Sequence, residues 1–169
     1  CLYGASRNTI DESYIKSAEI VGAAIAQRGH TLVYGGGAQG VMGGAVRGAY
    51  ENGGKIIGIA PSFFNVDGIL FKNCTEFIYT ETMRERKQLM EDMSDSFIVM
   101  PGGIGTFEEF FETLTLKQLG RHAKAMAIFN QNGYYDNMKE LLNKPISENF
   151  MTEKCRNLCA FFENEDDMI

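Results

Sequence analysis

The run Val99-Met100-Pro101-Gly102-Gly103-Ile104-Gly105-Thr106-Phe107-Glu108-Glu109 carries an apolar stretch into a turn with three glycines and then into a helix with two adjacent carboxylates. Glycines let the backbone approach a ligand closely. The unpaired N–H groups at a helix start, backed by the helix dipole, favour an anion such as phosphate. The second carboxylate has two readings. Thr106-x-x-Glu109 matches a capping box, in which the threonine and glutamate side chains satisfy orphan N–H groups of the helix. The same glutamate could instead take a proton from an attacking water, or stabilise positive charge growing on a ribose.

Two other segments bear groups of the same kind. Gly35-Gly36-Gly37-Ala38-Gln39-Gly40 follows an apolar run, and Gly35-x-Gly37-x-x-Gly40 formally matches the dinucleotide fingerprint. That fingerprint expects an acidic residue at the end of the next strand, about twenty residues on, to hold the ribose hydroxyls. Here the position reads Ile59-Ala60-Pro61, which favours a mononucleotide site or a merely structural turn. The chain contains no Gly-x-x-x-x-Gly-Lys-Ser/Thr run, so it is not a P-loop NTPase. Met83-Arg84-Glu85-Arg86-Lys87 lies among Glu81, Glu91 and Asp92, and the bland reading is a solvated helix face with i,i+4 pairs. A cation near a helix start gains nothing from the dipole, so Arg86 points to an anionic ligand, with Lys87 beside it and Arg84 at the surface. Met83, Met90, Met93, Phe107, Phe110, Phe111 and Leu114 read as core or subunit-interface residues at helical spacing.

In order and spacing, Met83-x-x-Arg86-Lys87, Pro101-Gly102-Gly103-x-Gly105-Thr106-x-x-Glu109 and the loop Tyr34 to Gly43 resemble the motifs of the LOG family. This is a family of cytokinin-activating phosphoribohydrolases often labelled lysine decarboxylases. Cys1 to Ser6 is similar to the family's opening strand and turn, and the resemblance reaches to about Tyr135. Ala38 stands where many members carry Ser, and the stretch Ser62 to Cys74 is short.

The resemblance implies hydrolysis of the N-glycosidic bond of a purine nucleoside 5′-monophosphate, with Arg86 and Glu109 as the catalytic pair. It implies a substrate-binding set of Gly36, Gly37, Lys87, Gly102, Gly103, Ile104, Gly105, Thr106, Phe107, Glu108 and Thr115. It also implies no cofactor and a homodimer or larger homo-oligomer. The same fold and glycine loops occur in proteins similar to molybdenum-cofactor carriers and nucleotide-binding modules without turnover; Arg86 with Glu109 favours an enzyme. A lysine decarboxylase needs pyridoxal phosphate and a Schiff-base lysine, and only Lys87 adjoins the glycine turns.

The 169 residues, 44% of them hydrophobic, suit a single domain, 1–169, with a sizeable core. A net charge of −6 argues against nucleic acid or an anionic membrane as partner, so phosphate binding must be local. Cys1, Cys74, Cys155 and Cys159 are scattered without a disulfide framework and read as reduced thiols. His30 and His122 stand apart without ligand spacing, so no metal site is expected. The chain shows no secretory signal pattern and no apolar run of membrane-spanning length, which places it in the cytoplasm.

The elements that must carry these groups alternate. Strands are expected at Leu2 to Gly4, Thr31 to Tyr34, Lys55 to Ala60 (stopped by Pro61), Glu76 to Tyr79, Ser96 to Met100, Ala125 to Phe129 and Asn157 to Phe162. Helices are expected at Asp11 to Arg28, Val41 to Glu51, Thr82 to Met93, Thr106 to Leu119 and near Tyr134 to Leu142. Such βα alternation predicts an α/β fold, a Rossmann-like doubly wound parallel sheet covered on both faces. Ligands of such sheets sit outside the carboxyl ends of the strands, where both glycine turns and the Arg86 helix start should converge.

Overall fold

The computed structural model describes residues 1–168. Its strands are β1 (Leu2–Tyr3), β2 (Thr31–Tyr34), β3 (Lys55–Pro61), β4 (Glu76–Thr80), β5 (Ser96–Val99), β6 (Ala125–Phe129) and β7 (Ala160–Phe162). Between and after them run α1 (Glu12–Gln27), α2 (Gly40–Glu51), α3 (Met83–Asp92), α4 (Ile104–Gln118), α5 (Asp136–Ser147) and the single turn α6 (Glu165–Met168). All seven strands are parallel, in the order β4-β3-β2-β1-β5-β6-β7. The chain starts at the centre, winds outward through β2, β3 and β4, then crosses to the other side of β1 and winds outward again. The direction reverses between β1 and β5, so the loops leaving their carboxyl ends part and open a crevice.

Alternation along the strands sends residues to two cores. Leu2, Leu32 and Tyr34 meet Ala18, Val21, Ile25 and Ala45 from α1 and α2 on one face. Tyr3, Val33, Phe97 and Val99 meet Met90, Phe110, Leu114 and Met138 from α3, α4 and α5 on the other. Helices α1 and α2 touch backbone to backbone: a Cβ on Gly22 would lie 1.9 Å from the Ala45 carbonyl oxygen, and one on Gly48 would lie 2.0 Å from that of Glu19. Burial on both faces is what parallel strands require, and it explains their dense aliphatic and aromatic composition.

Four expectations need correction. Helix α4 begins at Ile104, not Thr106, because Gly103 takes the extended N-cap conformation (φ −95°, ψ −153°) and the chain is already helical after it. Thr106 and Glu109 therefore sit inside the first turns and form no capping box. A capping box does exist in α3: the Glu85 N–H donates to Thr82 Oγ1 at 3.2 Å and the Thr82 N–H donates to Glu85 Oε2 at 3.1 Å. Pro61 does not stop β3 short but is its last residue, beyond the reach of β2, whose pairing ends at Gly58. Helix α5 starts at Asp136 and continues through Pro145 to Ser147. Only Ala160–Phe162 of the expected last strand pairs with β6, while Glu153–Asn157 forms a 3₁₀ turn.

Candidate active site

A cavity of about 770 Å³ opens at the crevice between β1 and β5, within the size range of small-molecule sites. Its floor is the turn Pro101 to Thr106 after β5. One side is the β1–α1 loop, with Gly4, Ala5, Ser6 and Arg7, joined by Tyr14 of α1. The opposite side takes Gly35, Gly37 and Met42 from the first glycine turn, and Phe64, Ile69 and Leu70 from the β3–β4 connection. Met83 and Arg86 of α3 and Glu109 of α4 complete it, with Tyr134 at the rim.

The start of α4 leaves its backbone donors free. Gly103 offers no side-chain cap, and the N–H groups of Gly103, Ile104, Gly105 and Thr106 find no acceptor among the described residues. Space is left for a guest as well, since a Cβ on Gly103 or Gly105 would meet nothing within 4 Å. Free N–H donors at the positive end of a helix are chemically suited to an anion such as phosphate.

Arg86 and Glu109 come together at the cavity wall. Arg86 Nη1 donates to Glu109 Oε1 at 2.7 Å, Arg86 Nε donates to the Ile59 carbonyl at 3.1 Å, and the arginine is only 6% exposed. The first glycine of the upstream turn makes room for it, because a Cβ on Gly35 would sit 2.0 Å from Arg86 Nη2. The guanidinium charge is thus answered by the protein's own carboxylate, a partner the helix-start argument did not foresee. Glu109 Oε2 makes no hydrogen bond among the described residues and belongs to a cavity-lining side chain. Burial pushes the Glu109 carboxyl above the ordinary glutamate range, and the neighbouring Arg86 offsets only part of that rise. A carboxylate with one oxygen anchored, one free and a raised pKa is a stronger base than an ordinary glutamate and is suited to accept a proton.

A polar strut stands beside the pair. Thr113 Oγ1 lies 2.9 Å from the Glu109 carbonyl and 3.1 Å from both the Tyr3 hydroxyl and Glu91 Oε1. It ties α4 to β1 and α3 at the level where Glu109 must be held. Desolvation raises the pKa of buried Glu91.

The remaining sequence candidates divide. Gly37, Gly102, Gly103, Gly105 and Thr106 line the cavity, whereas Gly36, Lys87, Ile104, Phe107, Glu108 and Thr115 do not. Lys87 bonds Glu108 and, at 2.6 Å, Glu112, forming a bridge between α3 and α4 outside the cavity. Burial works against its charge, but the two glutamates outweigh it and hold the ammonium form above its ordinary pKa. Phe107 packs edge-on against Tyr135 with ring centroids 5.9 Å apart. Thr115 Oγ1 donates to the Phe111 carbonyl at 2.7 Å. Ile104 is 86% exposed, so only its backbone N–H is placed to serve the turn. Gly36 packs beneath the Phe77 ring. Sequence reasoning missed Arg7, Tyr14, Phe64, Ile69, Leu70 and Tyr134; the switch-point rule applied to β1 would have pointed to the first two.

Among the described residues, no three His, Cys, Asp or Glu side chains gather as a metal site, and no helix is long and apolar enough to cross a membrane.

Comparison with known proteins adds lineage to this geometry. The family described as "possible lysine decarboxylase" matches residues 42–169. Pyridoxal-dependent decarboxylation does not fit the residues present, since no lysine lines the cavity and Lys87 is held between two glutamates. A cytokinin riboside 5′-monophosphate phosphoribohydrolase of Mycobacterium tuberculosis is 37% identical over 99% of this chain and 89% of its own length. One from Arabidopsis thaliana is 31% identical, over 100% of this chain and 79% of its length. Among solved structures, the molybdenum cofactor carrier protein of Chlamydomonas reinhardtii superposes with a TM-score of 0.72 at 23% identity, over 98% of this chain and 88% of that one. The molybdenum cofactor binding protein of Rippkaea orientalis gives 0.70 at 24%, over 95% and 86%. At those identities the structures speak for the fold alone, while the sequence relatives span nearly the whole chain, and on their strength the chain belongs to the LOG family.

Proposed function

We propose that the protein hydrolyses the N-glycosidic bond of a purine nucleoside 5′-monophosphate, AMP or an N6-substituted, cytokinin-type derivative, to the free base and ribose 5-phosphate. The observation that carries this reading is the meeting, in one cavity, of an uncapped α4 N-terminus and a carboxylate with a free oxygen. The phosphate would sit on the N–H groups of Gly103, Ile104, Gly105 and Thr106. Anchored there, the ribose presents C1′ to Glu109, so binding energy far from the scissile bond is used at that bond.

In the reaction the C1′–N bond breaks and its electron pair leaves with the base. A water oxygen bonds to C1′ and keeps one proton, the other passes to Glu109, and the departing base nitrogen takes up a proton from solvent, to which Glu109 afterwards returns its own. Glu109 also faces the oxocarbenium charge that builds on the ribose. Arg86 holds Glu109 through Oε1 and directs its other oxygen to the ligand. The names of the curated relatives agree with this chemistry. A homo-oligomer is part of the same reading: Phe64 and Met83, which line the cavity, and Phe63 and Val66 leave apolar surface exposed.

The test is product analysis with AMP, N6-isopentenyl-AMP and the matching nucleosides. Free base and ribose 5-phosphate are expected from the nucleotides, with the nucleosides cleaved far more slowly. Adenosine cleaved as fast as AMP would remove the phosphate anchor from the mechanism. Recovery of intact, tightly bound AMP would instead make the protein a nucleotide or cofactor carrier of the same fold.

A further inference from the structure

The phosphate turn has a backing of its own. Three successive carbonyls, of Met100, Pro101 and Gly102, each accept a hydrogen bond, two from the neighbouring tyrosines before α5 and one from the β1–α1 loop. Tyr135 Oη donates to the Met100 oxygen at 2.8 Å, the Ala5 N–H to that of Pro101 at 3.2 Å, and Tyr134 Oη to that of Gly102 at 2.8 Å. In a trans peptide the carbonyl and the next N–H point in opposite directions. Fixing these oxygens therefore fixes the direction of the amides that follow, including the Gly103 N–H.

The Gly102–Gly103 peptide is the one most in need of such a hold. Glycine lies on both sides of it, so no side chain resists rotation of the peptide plane, and Gly103 has open space where its Cβ would be. A flipped plane would aim the Gly102 oxygen where the Gly103 N–H should be and set a partial negative charge against the anion. The hydroxyl that prevents this belongs to a residue the sequence motifs do not include. Tyr134 stands just before α5, edge-on to Tyr14 at 5.8 Å and to Tyr135 at 4.9 Å between ring centroids, so its ring is fixed by packing on both sides. Tyr135 is buried and serves the floor of the turn, whereas Tyr134 is 42% exposed and lines the cavity itself.

We infer that Tyr134 is a positioning residue for phosphate recognition: its hydroxyl holds the Gly102 carbonyl and so keeps the Gly103 N–H turned toward the anion. The inference rests on the phosphate site of the proposed function, but not on turnover. Tyr134→Phe keeps the ring and its packing and removes only the hydroxyl. The variant is expected to bind ribose 5-phosphate about tenfold more weakly by calorimetry, the scale of one oriented, charge-assisted donor. Its KM for AMP should rise by a similar factor with kcat changed much less, and cleavage of adenosine should not change, so selectivity for the phosphorylated substrate falls.

Should the parent bind ribose 5-phosphate yet cleave no nucleotide, the proposed reaction fails while a tenfold affinity difference still upholds the role of Tyr134. Equal affinity of parent and variant for ribose 5-phosphate overturns the inference. So does a loss that falls equally on adenosine and AMP, which would mark a general structural effect. Failure of the parent to bind ribose 5-phosphate at all would overturn both readings.

Discussion

Two glycine-rich turns lie on the same edge of the sheet, each leading from a strand into a helix, and they use their glycines for opposite ends. At the turn after β2 the glycines serve the protein. Gly36 (φ +78°) and Gly40 (φ +62°) adopt backbone angles that L side chains rarely take, and a Cβ on Gly36 would collide with the Phe77 ring at 2.7 Å. The start of α2 is also occupied, with the Gly40 N–H given to Asn8 Oδ1 at 2.8 Å and the Met42 N–H to the Ala5 carbonyl at 3.1 Å. At the turn after β5, Gly103 and Gly105 face open space and the helix start keeps its donors free. A formal dinucleotide fingerprint thus marks the plugged turn, and the turn with free donors and open space is the other one. A glycine pattern says that a backbone comes close to something. Whether that something is a ligand depends on where the neighbouring N–H groups go.

The contrast is sharpest at the chemistry served by the open turn. Glu109→Gln is expected to lower turnover of AMP by about 10²-fold or more while nucleotide binding persists. Arg86→Ala should lose as much activity and, unlike a surface arginine, also stability, because Glu109 and the Ile59 carbonyl would be left buried without a partner. Breaking such a pair costs about 3–5 kcal/mol, measurable by denaturant unfolding. Glu109 must be ionised to take a proton, and its folded-state pKa is raised by burial. Activity should therefore fall as pH drops through that raised value, placing the acid limb of the kcat profile above the 4.5 of an ordinary glutamate. Retention of near-parent turnover by Glu109→Gln would remove the carboxylate from the reaction.

A methyl group placed at each turn separates their roles directly. Gly103→Ala should leave the melting temperature near that of the parent and raise the KM for AMP by about tenfold, since only the ligand would meet the new Cβ. Gly35→Ala should lower kcat, because its Cβ displaces Arg86 Nη2. A Gly103→Ala protein with unchanged KM would mean that the open turn is not where phosphate sits. The smallest effect is expected at the plugged turn. Asn8→Ala removes the side chain that receives the Gly40 N–H, a loss of about 1 kcal/mol typical of a helix cap and a fall in melting temperature of about 2–4 °C. Its kinetics should match the parent's, as Asn8 does not line the cavity.

The sheet was legible because parallel strands announce themselves: Thr31–Tyr34 and Ala125–Phe129 are short apolar runs bounded by breakers, and both have the expected limits. Boundaries failed where a cap decided them. The start of α4 depends on Gly103 being extended, which a Thr-x-x-Glu pattern two residues on disguised, while the working capping box at Thr82 and Glu85 lay unremarked in a charged helix. Residues tied to a glycine turn by local spacing, such as Gly102 and Thr106, could be found from the sequence. Tyr134 could not, since its bond to Gly102 spans 32 residues and depends on β6 and the turn after it lying beside β5. Arg86 could be picked out from its motif and its place near a helix start. Its bond to Glu109 could not, since that partner is 23 residues away on the next helix, a pairing that only the packing of α3 on α4 creates.

The bridge of Lys87 to Glu108 and Glu112 gives α3 and α4 a second ionic tie, set outward from the first. Arg86 and Glu109 are 7% and 11% exposed, whereas Glu108 and Glu112 are 52% and 42% exposed. The charges between these helices form a gradient in accessibility to salt. Counter-ions with a Debye length of about 8 Å at physiological ionic strength reach the outer rung and leave the inner one largely unscreened. High salt should therefore weaken the junction first at its solvent side, where the glutamates are exposed although the Lys87 side chain is only 12% so, while the rung that orients Glu109 is affected less.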